Sequence, residues 1–276
     1  MAVCASSFFL SGCASEDVPD AIVDVAPQSA TPALSAAPSY TPPPVTSSPL
    51  PSPASTPPPT ETPVVSAEPT PKTQRNYPVA DTAFYYQDLD DALKARITGM
   101  SYPMPDEPCA ISYSELCYIG ILYCDFTGET HTGELIVNKK LADEVVEIFY
   151  ELYKNQYPLA SVRLVDDYGE PGDDNRSMAA NNTSAFNYRR VTGSKTLSRH
   201  SYGAAIDVNP LFNPYIDKGR IAPPEAAPYA DRDADFPGKI DHDDLCYRLF
   251  TRNGWSWGGD WSGDKDYQHF SKDIGY

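Results

Sequence analysis

Prolines constrain this chain more than any other residue type: of 28, 17 lie between Pro19 and Pro78. Proline fixes φ and lacks the N–H that a helix interior or a central strand must donate, so a run this dense excludes regular secondary structure. The rest of that stretch is mostly Ser, Thr and Ala. It offers too little apolar surface to offset the entropy of ordering it. Residues 14–78 are therefore expected to be a disordered, extended tether. The folded part is expected over residues 79–276, long enough for a single core.

A net charge of −17 argues against a nucleic-acid partner, whose phosphates demand a basic patch. No stretch reaches the ~20 apolar residues needed to span a bilayer. Contact with a membrane is expected only through the N-terminus, where Ser7–Ala14 resembles the end of a lipoprotein signal peptide with Leu10-Ser11-Gly12-Cys13 as its lipobox. That resemblance implies a signal region over residues 1–13, lipidation of Cys13 and an extracytoplasmic protein anchored to a bacterial membrane. No Lys or Arg precedes the short apolar region, where a signal peptide carries one, so either the true start lies upstream or the segment is an ordinary small-residue terminus. The tether that follows suits an anchored domain reaching away from its membrane.

Four cysteines remain beyond that region, Cys109, Cys117, Cys124 and Cys246, none with CxxC spacing. In an exported protein an even number suggests one or two disulfides, with a bridge inside 109–124 conceivable and the pairing open.

In the folded part, Leu116–Phe126 and His131–Val137 read as two strands joined by a turn at Thr127-Gly128-Glu129. Leu141, Val145, Ile148, Phe149 and Leu152 recur at helical spacing over about 140–154, with acidic residues between them and Pro158 beyond. Ser161–Val165 reads as a strand, and the polar residues 166–182 as a long loop. Asp241 is the expected N-cap of a second helix, with Leu245, Leu249 and Phe250 inward and Gly254 past its end. Short strands are expected near Ala204–Val208, Trp255–Trp257 and Tyr267–Phe270. Helices and strands do not alternate regularly, so the expected class is α+β: a small mixed or antiparallel sheet, flanked by helices, carrying a single metal site.

The chemistry concentrates in Ser198-Arg199-His200-Ser201-Tyr202-Gly203-Ala204-Ala205-Ile206-Asp207. On a strand Asp207 shares its face with the small Ala205, which leaves room beside the carboxylate. His200 sits in the loop feeding that strand, and Gly203 allows a sharp approach between them. An imidazole and a carboxylate meeting there suit Zn²⁺, which in a catalytic site takes a third protein ligand and leaves one position open. Only four histidines exist, and His269 lies close to the aromatic, glycine-rich Trp255–Trp261.

Ser198, His200, Gly203, Ala205 and Asp207 match Ser-x-His-x-x-Gly-x-Ala-x-Asp, which resembles the signature of the zinc D-alanyl-D-alanine peptidases. That group spans the vancomycin-resistance D,D-peptidases and the L-alanyl-D-glutamate endopeptidases of phage endolysins. Asp266 and His269 match its second block, and Tyr188-Arg189 an upstream pair, so the likeness covers about residues 115–276. It implies Zn²⁺ held by His200, Asp207 and His269, with Asp266 as general base toward the attacking water. Arg189 would bind the substrate carbonyl or stabilise the oxyanion, and Ser198 and Tyr202 would contribute around the ligands. The vancomycin-resistance members carry Glu where this chain has Asp266. Residues three apart on a strand face opposite ways, so Asp266 is expected in the turn before the strand of His269; Asp264 and Asp260 are the fallback bases.

Simpler readings stand beside these. His242, on a polar first turn, is expected in solvent, and His131, beginning a strand, has no acidic group at ligand spacing. Trp255, Trp257 and Trp261 read as core or rim packing, and Arg189 can equally pair with a surface carboxylate. The function implied is an exported zinc metallopeptidase, monomeric, cutting peptidoglycan stem peptides as a D-Ala-D-Ala carboxypeptidase or an L-Ala-D-Glu endopeptidase. The alternative is a zinc-retaining, non-catalytic wall-binding or signalling module, from which a base at Asp266 would distinguish it.

Overall fold

The hairpin read from the sequence is the frame on which the rest is built. In the computed structural model, which describes residues 81–169 and 171–276, β2 (Leu116–Cys124) pairs antiparallel with β3 (Thr130–Asn138) along their full length, and β1 (Tyr85–Asp88) extends the other edge of β2. The expected tether and the Cys13 anchor lie outside the described residues. The turn closes because the Asp125 carboxylate accepts from Thr127 N at 2.8 Å and Glu129 N at 3.0 Å, while Gly128 takes a φ of 85°.

Period-two alternation gives β2 two buried faces. Cys117, Ile119, Ile121 and Tyr123 join the main core, while Leu116 and Tyr118 belong to a second cluster with Ile97, Ile136 and Phe186. The main core is covered by α2 (Ala142–Lys154), whose Val145, Ile148, Phe149 and Leu152 are buried. Each such side chain contributes about 1.5–3 kcal/mol relative to exposure. α2 begins two residues later than the helical spacing suggests, because Lys139–Leu141 form a separate 3-10 turn started by the Asn138 side chain accepting from Lys140 N. The second cluster is closed by α1 (Asp91–Ile97).

The segment read as a long loop holds more structure than its composition suggests. After β4 (Ser161–Val162) comes a 3-10 turn at Val165–Tyr168, then α3 (Asn175–Ala179) and β5 (Asn182–Thr183), which pairs parallel with β4. The Asn182 amide is the organiser: it accepts from Arg163 N and donates to Arg163 O and Ser177 Oγ. Side-chain hydrogen bonds of this kind leave no periodicity in a sequence.

The remaining strands form two three-stranded antiparallel sheets. β6 (Ala205–Asp207), β11 (His269–Ser271) and β9 (Ser256–Trp257) make one, in the order β6-β11-β9. β10 (Lys265–Asp266), β7 (Tyr215–Asp217) and β8 (Arg220–Ala222) make the other, in the order β10-β7-β8. Mixed helix and sheet with small antiparallel sheets thus matches the α+β expectation, except that several short sheets replace one. Among them the half-buried Arg232 guanidinium donates to Phe212 O, Asn213 Oδ1 and Ile240 O and lies 4.4 Å from the Tyr267 ring centroid, tying three chain segments together.

α4 (Leu245–Arg252) starts three residues later than expected, because its N-cap is Asp244 and not Asp241. Asp244 Oδ1 accepts from Cys246 N at 2.8 Å, whereas Asp241 folds a preceding turn by accepting from Asp243 N. The cysteines correct a second expectation: all four among the described residues are free thiols. Cys117 and Cys124 lie seven residues apart on one strand, which at ~3.3 Å per residue is far beyond disulfide reach. Cys109 is exposed and donates to Ile111 O, while Cys117, Cys124 and Cys246 are buried. Among the described residues no helix is long and apolar enough to cross a membrane.

Candidate active site

The β6–β11 register places Asp207 directly opposite His269. Residues opposed across an antiparallel pair project to the same face, so this pairing alone brings the two side chains together. His200 arrives from a 3-10 turn at Arg199–Tyr202, started by Ser198 Oγ accepting from His200 N. Gly203 ends that turn at a φ of 62°, and a Cβ there would meet Asn138 N at 2.5 Å. Glycine is required twice, by the left-handed backbone and by the close approach to β3.

The three donor groups converge. His200 Nε2 lies 3.2 Å from His269 Nδ1 and 3.2 Å from Asp207 Oδ2, and His269 Nδ1 lies 3.0 Å from Asp207 Oδ1. Tetrahedral zinc with bonds of about 2.0–2.2 Å would set its ligand atoms about 3.3–3.6 Å apart, close to this spacing. His200 Nδ1 donates to Ala185 O at 2.5 Å, which fixes the tautomer and leaves the Nε2 lone pair facing the other two groups. Burial alone would raise the Asp207 pKa, yet the two imidazoles hold it well below the usual carboxylate range. Burial likewise presses on His200, but Asp207 outweighs it and raises the imidazole pKa. A buried carboxylate facing two imidazoles, one with its tautomer locked outward, is a donor set that fits a zinc ion.

Asp266 ends β10 and is paired with Tyr215, so it lies in a different sheet from His269. The expectation of a turn is corrected: the chain changes sheets across Tyr267-Gln268, and both side chains reach one cleft without breaking the alternation rule. Asp266 Oδ1 is buried without a hydrogen-bond partner among the described residues. Burial, the largest cause, and the Asp207 charge push this carboxyl up to about 7, against the opposing pull of His269 and Arg189. Of the fallback bases, Asp264 lines the cleft but accepts from Tyr215 Oη at 2.7 Å, and Asp260 pairs with His242 at 2.7 Å.

The cleft around these groups measures about 760 Å³ and is also lined by Asp174, Arg189, Ser198, Trp261 and Gln268. Arg189 is buried enough that desolvation opposes its charge, but Asp174 and Asp207 together raise its pKa. Its ion pair is with Asp174, not with a surface carboxylate. Tyr202, expected beside the substrate, is not among the lining residues and instead stacks on Tyr276 with ring centroids 4.9 Å apart. Trp255 and Trp257 are core residues as the sequence suggests; Trp261 is the rim residue, its ring 5.6 Å from that of His269.

Several contributors carried no signal of their own. Asp174 sat in the polar loop, and the Ala185 carbonyl is a backbone group. The Gly258-Gly259 pair was legible only as glycine richness: a Cβ on Gly258 would meet Asp266 O at 2.4 Å, and one on Gly259 would meet the Trp257 ring at 2.3 Å. The reading of His131 is corrected as well. Asp125 and Glu129 lie with it in a second group whose ligand atoms fall within 4.8 Å, brought together by the hairpin turn, and His131 Nε2 is 2.7 Å from Asp125 Oδ2.

Residues 192–272 match a family model described as D-alanyl-D-alanine carboxypeptidase. The matched stretch contains His200, Asp207, Asp266 and His269, and it supports a peptidase of the metallopeptidase kind, acting in connection with peptidoglycan. Arg189 and Asp174 lie outside it. No curated protein and no solved structure matches the chain.

Proposed function

We propose that this protein is a zinc peptidase hydrolysing peptidoglycan stem peptides, of the D-Ala-D-Ala carboxypeptidase or L-Ala-D-Glu endopeptidase type. The observation that carries the reading is the buried, unpartnered Asp266 Oδ1 beside a His200–Asp207–His269 donor triangle in one cleft. Zinc held by those three residues would supply Lewis acidity and make water nucleophilic near neutral pH. Asp266, with its proton affinity raised by burial, is suited to take a proton from the attacking water and return it to the leaving amine. Arg189 presents a fixed positive charge where a carbonyl oxygen gains negative charge. Ser198 contributes indirectly, by holding the turn that aims His200. The Lipobox at Leu10–Cys13 and the Pro-rich residues 14–78 favour an extracytoplasmic domain held to the membrane by lipid at Cys13.

Digestion of defined muropeptides with mass readout tests the activity and identifies the bond cut. Asp266→Ala should keep its zinc and lose about 10²–10⁴-fold in turnover. Loss of the metal instead would make Asp266 a ligand, and undiminished turnover would remove it from the chemistry. Cys13→Ala should release the protein from membranes; continued association would contradict the anchor.

A further inference from the structure

Asp174 occupies the N-cap position of α3, where an aspartate ordinarily accepts from the first backbone N–H groups of its helix. Here its side chain makes no capping bond. Its Oδ2 instead accepts from both Nε and Nη2 of Arg189, at 2.9 and 2.6 Å. The pair is well sheltered, with the Asp174 side chain 14% and the Arg189 side chain 24% exposed, and both line the cleft. A helix cap forgone in favour of a partner inside a cleft is a local rule broken at a functional place.

We propose that Asp174 is a positioning residue for Arg189, an inference that rests on the peptidase reading above. By taking the Nε–Nη2 edge of the guanidinium, it leaves Nη1 without an acceptor among the described residues, on a side chain that lines the cleft. The Arg189 main chain is held independently, since Ser201 Oγ accepts from its N at 3.0 Å and donates to its O at 2.7 Å. With backbone and inner edge both fixed, the guanidinium meets a developing oxyanion without first having to be ordered. Asp174 also shares in the charge balance of the cleft. It offsets the Arg189 cation, so that Asp266 and the metal ligands do not face an uncompensated positive group.

The test is a double-mutant cycle on the full, zinc-loaded chain with a defined muropeptide as probe, read as kcat and KM separately. Asp174→Ala should lower kcat by about 10²-fold with zinc content unchanged, as expected for a misplaced catalytic group. In an Arg189→Ala background it should change kcat less than about twofold, because its effect passes through Arg189. Asp174→Glu should recover part of the loss. A full additional loss in the Arg189→Ala background would overturn the proposal, as would undiminished kcat in Asp174→Ala. The Arg189 Nε–H resonance in ¹⁵N NMR gives a readout independent of turnover. It should be slow to exchange in the unmutated protein and in Asp174→Glu but fast in Asp174→Asn, which keeps the shape and loses the charge. An unchanged resonance in Asp174→Asn overturns the clamp. Absence of cleavage by the unmutated protein counts against the peptidase reading alone, and the resonance still decides on the clamp.

Discussion

Among the described residues two groups of three potential ligands form around a histidine, and they differ in burial and in how their donors are held. His200, Asp207 and His269 are buried, with the His200 and Asp207 side chains 4% and 7% exposed. Asp125, Glu129 and His131 sit at a hairpin turn, where His131 and Asp125 are 39% and 21% exposed. In the first group the register of two strands and a glycine-ended turn aim the donors, and the Ala185 carbonyl fixes one imidazole from behind. In the second, Asp125 Oδ1 is already taken by the Thr127 and Glu129 amides that close the turn. The difference teaches that ligand spacing is the weaker criterion: what separates a metal centre from a surface ion pair is whether the surroundings hold the donors before the ion comes.

The sharpest way to break this comparison is to remove one histidine from each group. His200→Ala should lower zinc affinity by more than the ~10–100-fold typical of losing an outer partner, and bring hydrolysis to background. Retention of stoichiometric zinc would break the assignment. Gly258→Ala should come next in size, since its Cβ would collide with the Asp266 backbone. About 10²-fold loss of turnover with zinc retained is expected, measured as kcat beside metal content. A smaller effect is a stability change with pH. Burial pushes Asp266 up to about 7, above the ~3.9 of an unfolded aspartate. A raised carboxyl pKa contributes stability in full below the unfolded value, and that contribution is lost as pH rises through about 7. Asp266→Asn should therefore raise the Tm of the metal-free protein by a margin that widens from pH 4 to pH 8. Asp207 is held low, so its contribution is present at neutral pH and lost on acidification; Asp207→Asn should lower Tm, most at neutral pH. A margin independent of pH would place Asp266 in water. Smallest of all, His131→Ala should change stability by less than about 0.5 kcal/mol and leave turnover intact. Loss of bound metal in that variant would put a second centre at the hairpin.

What could be read from the sequence followed from periodicity and from dense local motifs. The β2–β3 hairpin and α2 were legible because alternation and helical spacing run for nine and thirteen residues there. His200 and Asp207 were legible because they sit seven residues apart with Gly203 between. His269 and Asp266 were harder, since they lie on strands of three and two residues in different sheets, too short for any period to register. Asp241 and Asp244 both had the residue type of a cap, and only the turn formed by Asp241 decides between them. Asp174 was beyond reach because its partner is 15 positions away and joined through side chains alone. The second histidine group was missed for the same reason: only the closed hairpin sets His131 against Asp125.

The register of Asp207 against His269 also has a topological consequence. These residues are 62 positions apart, and the segment between them includes the whole β7–β8 hairpin and α4. An ion bound between them would act as a removable cross-link closing that long loop, withdrawing freedom from the unfolded chain much as a disulfide does. With every described cysteine a free thiol, such a staple would be this domain's one reversible covalent-like tie among the described residues, and loading it would tell most on the resistance of residues 256–271 to proteolysis.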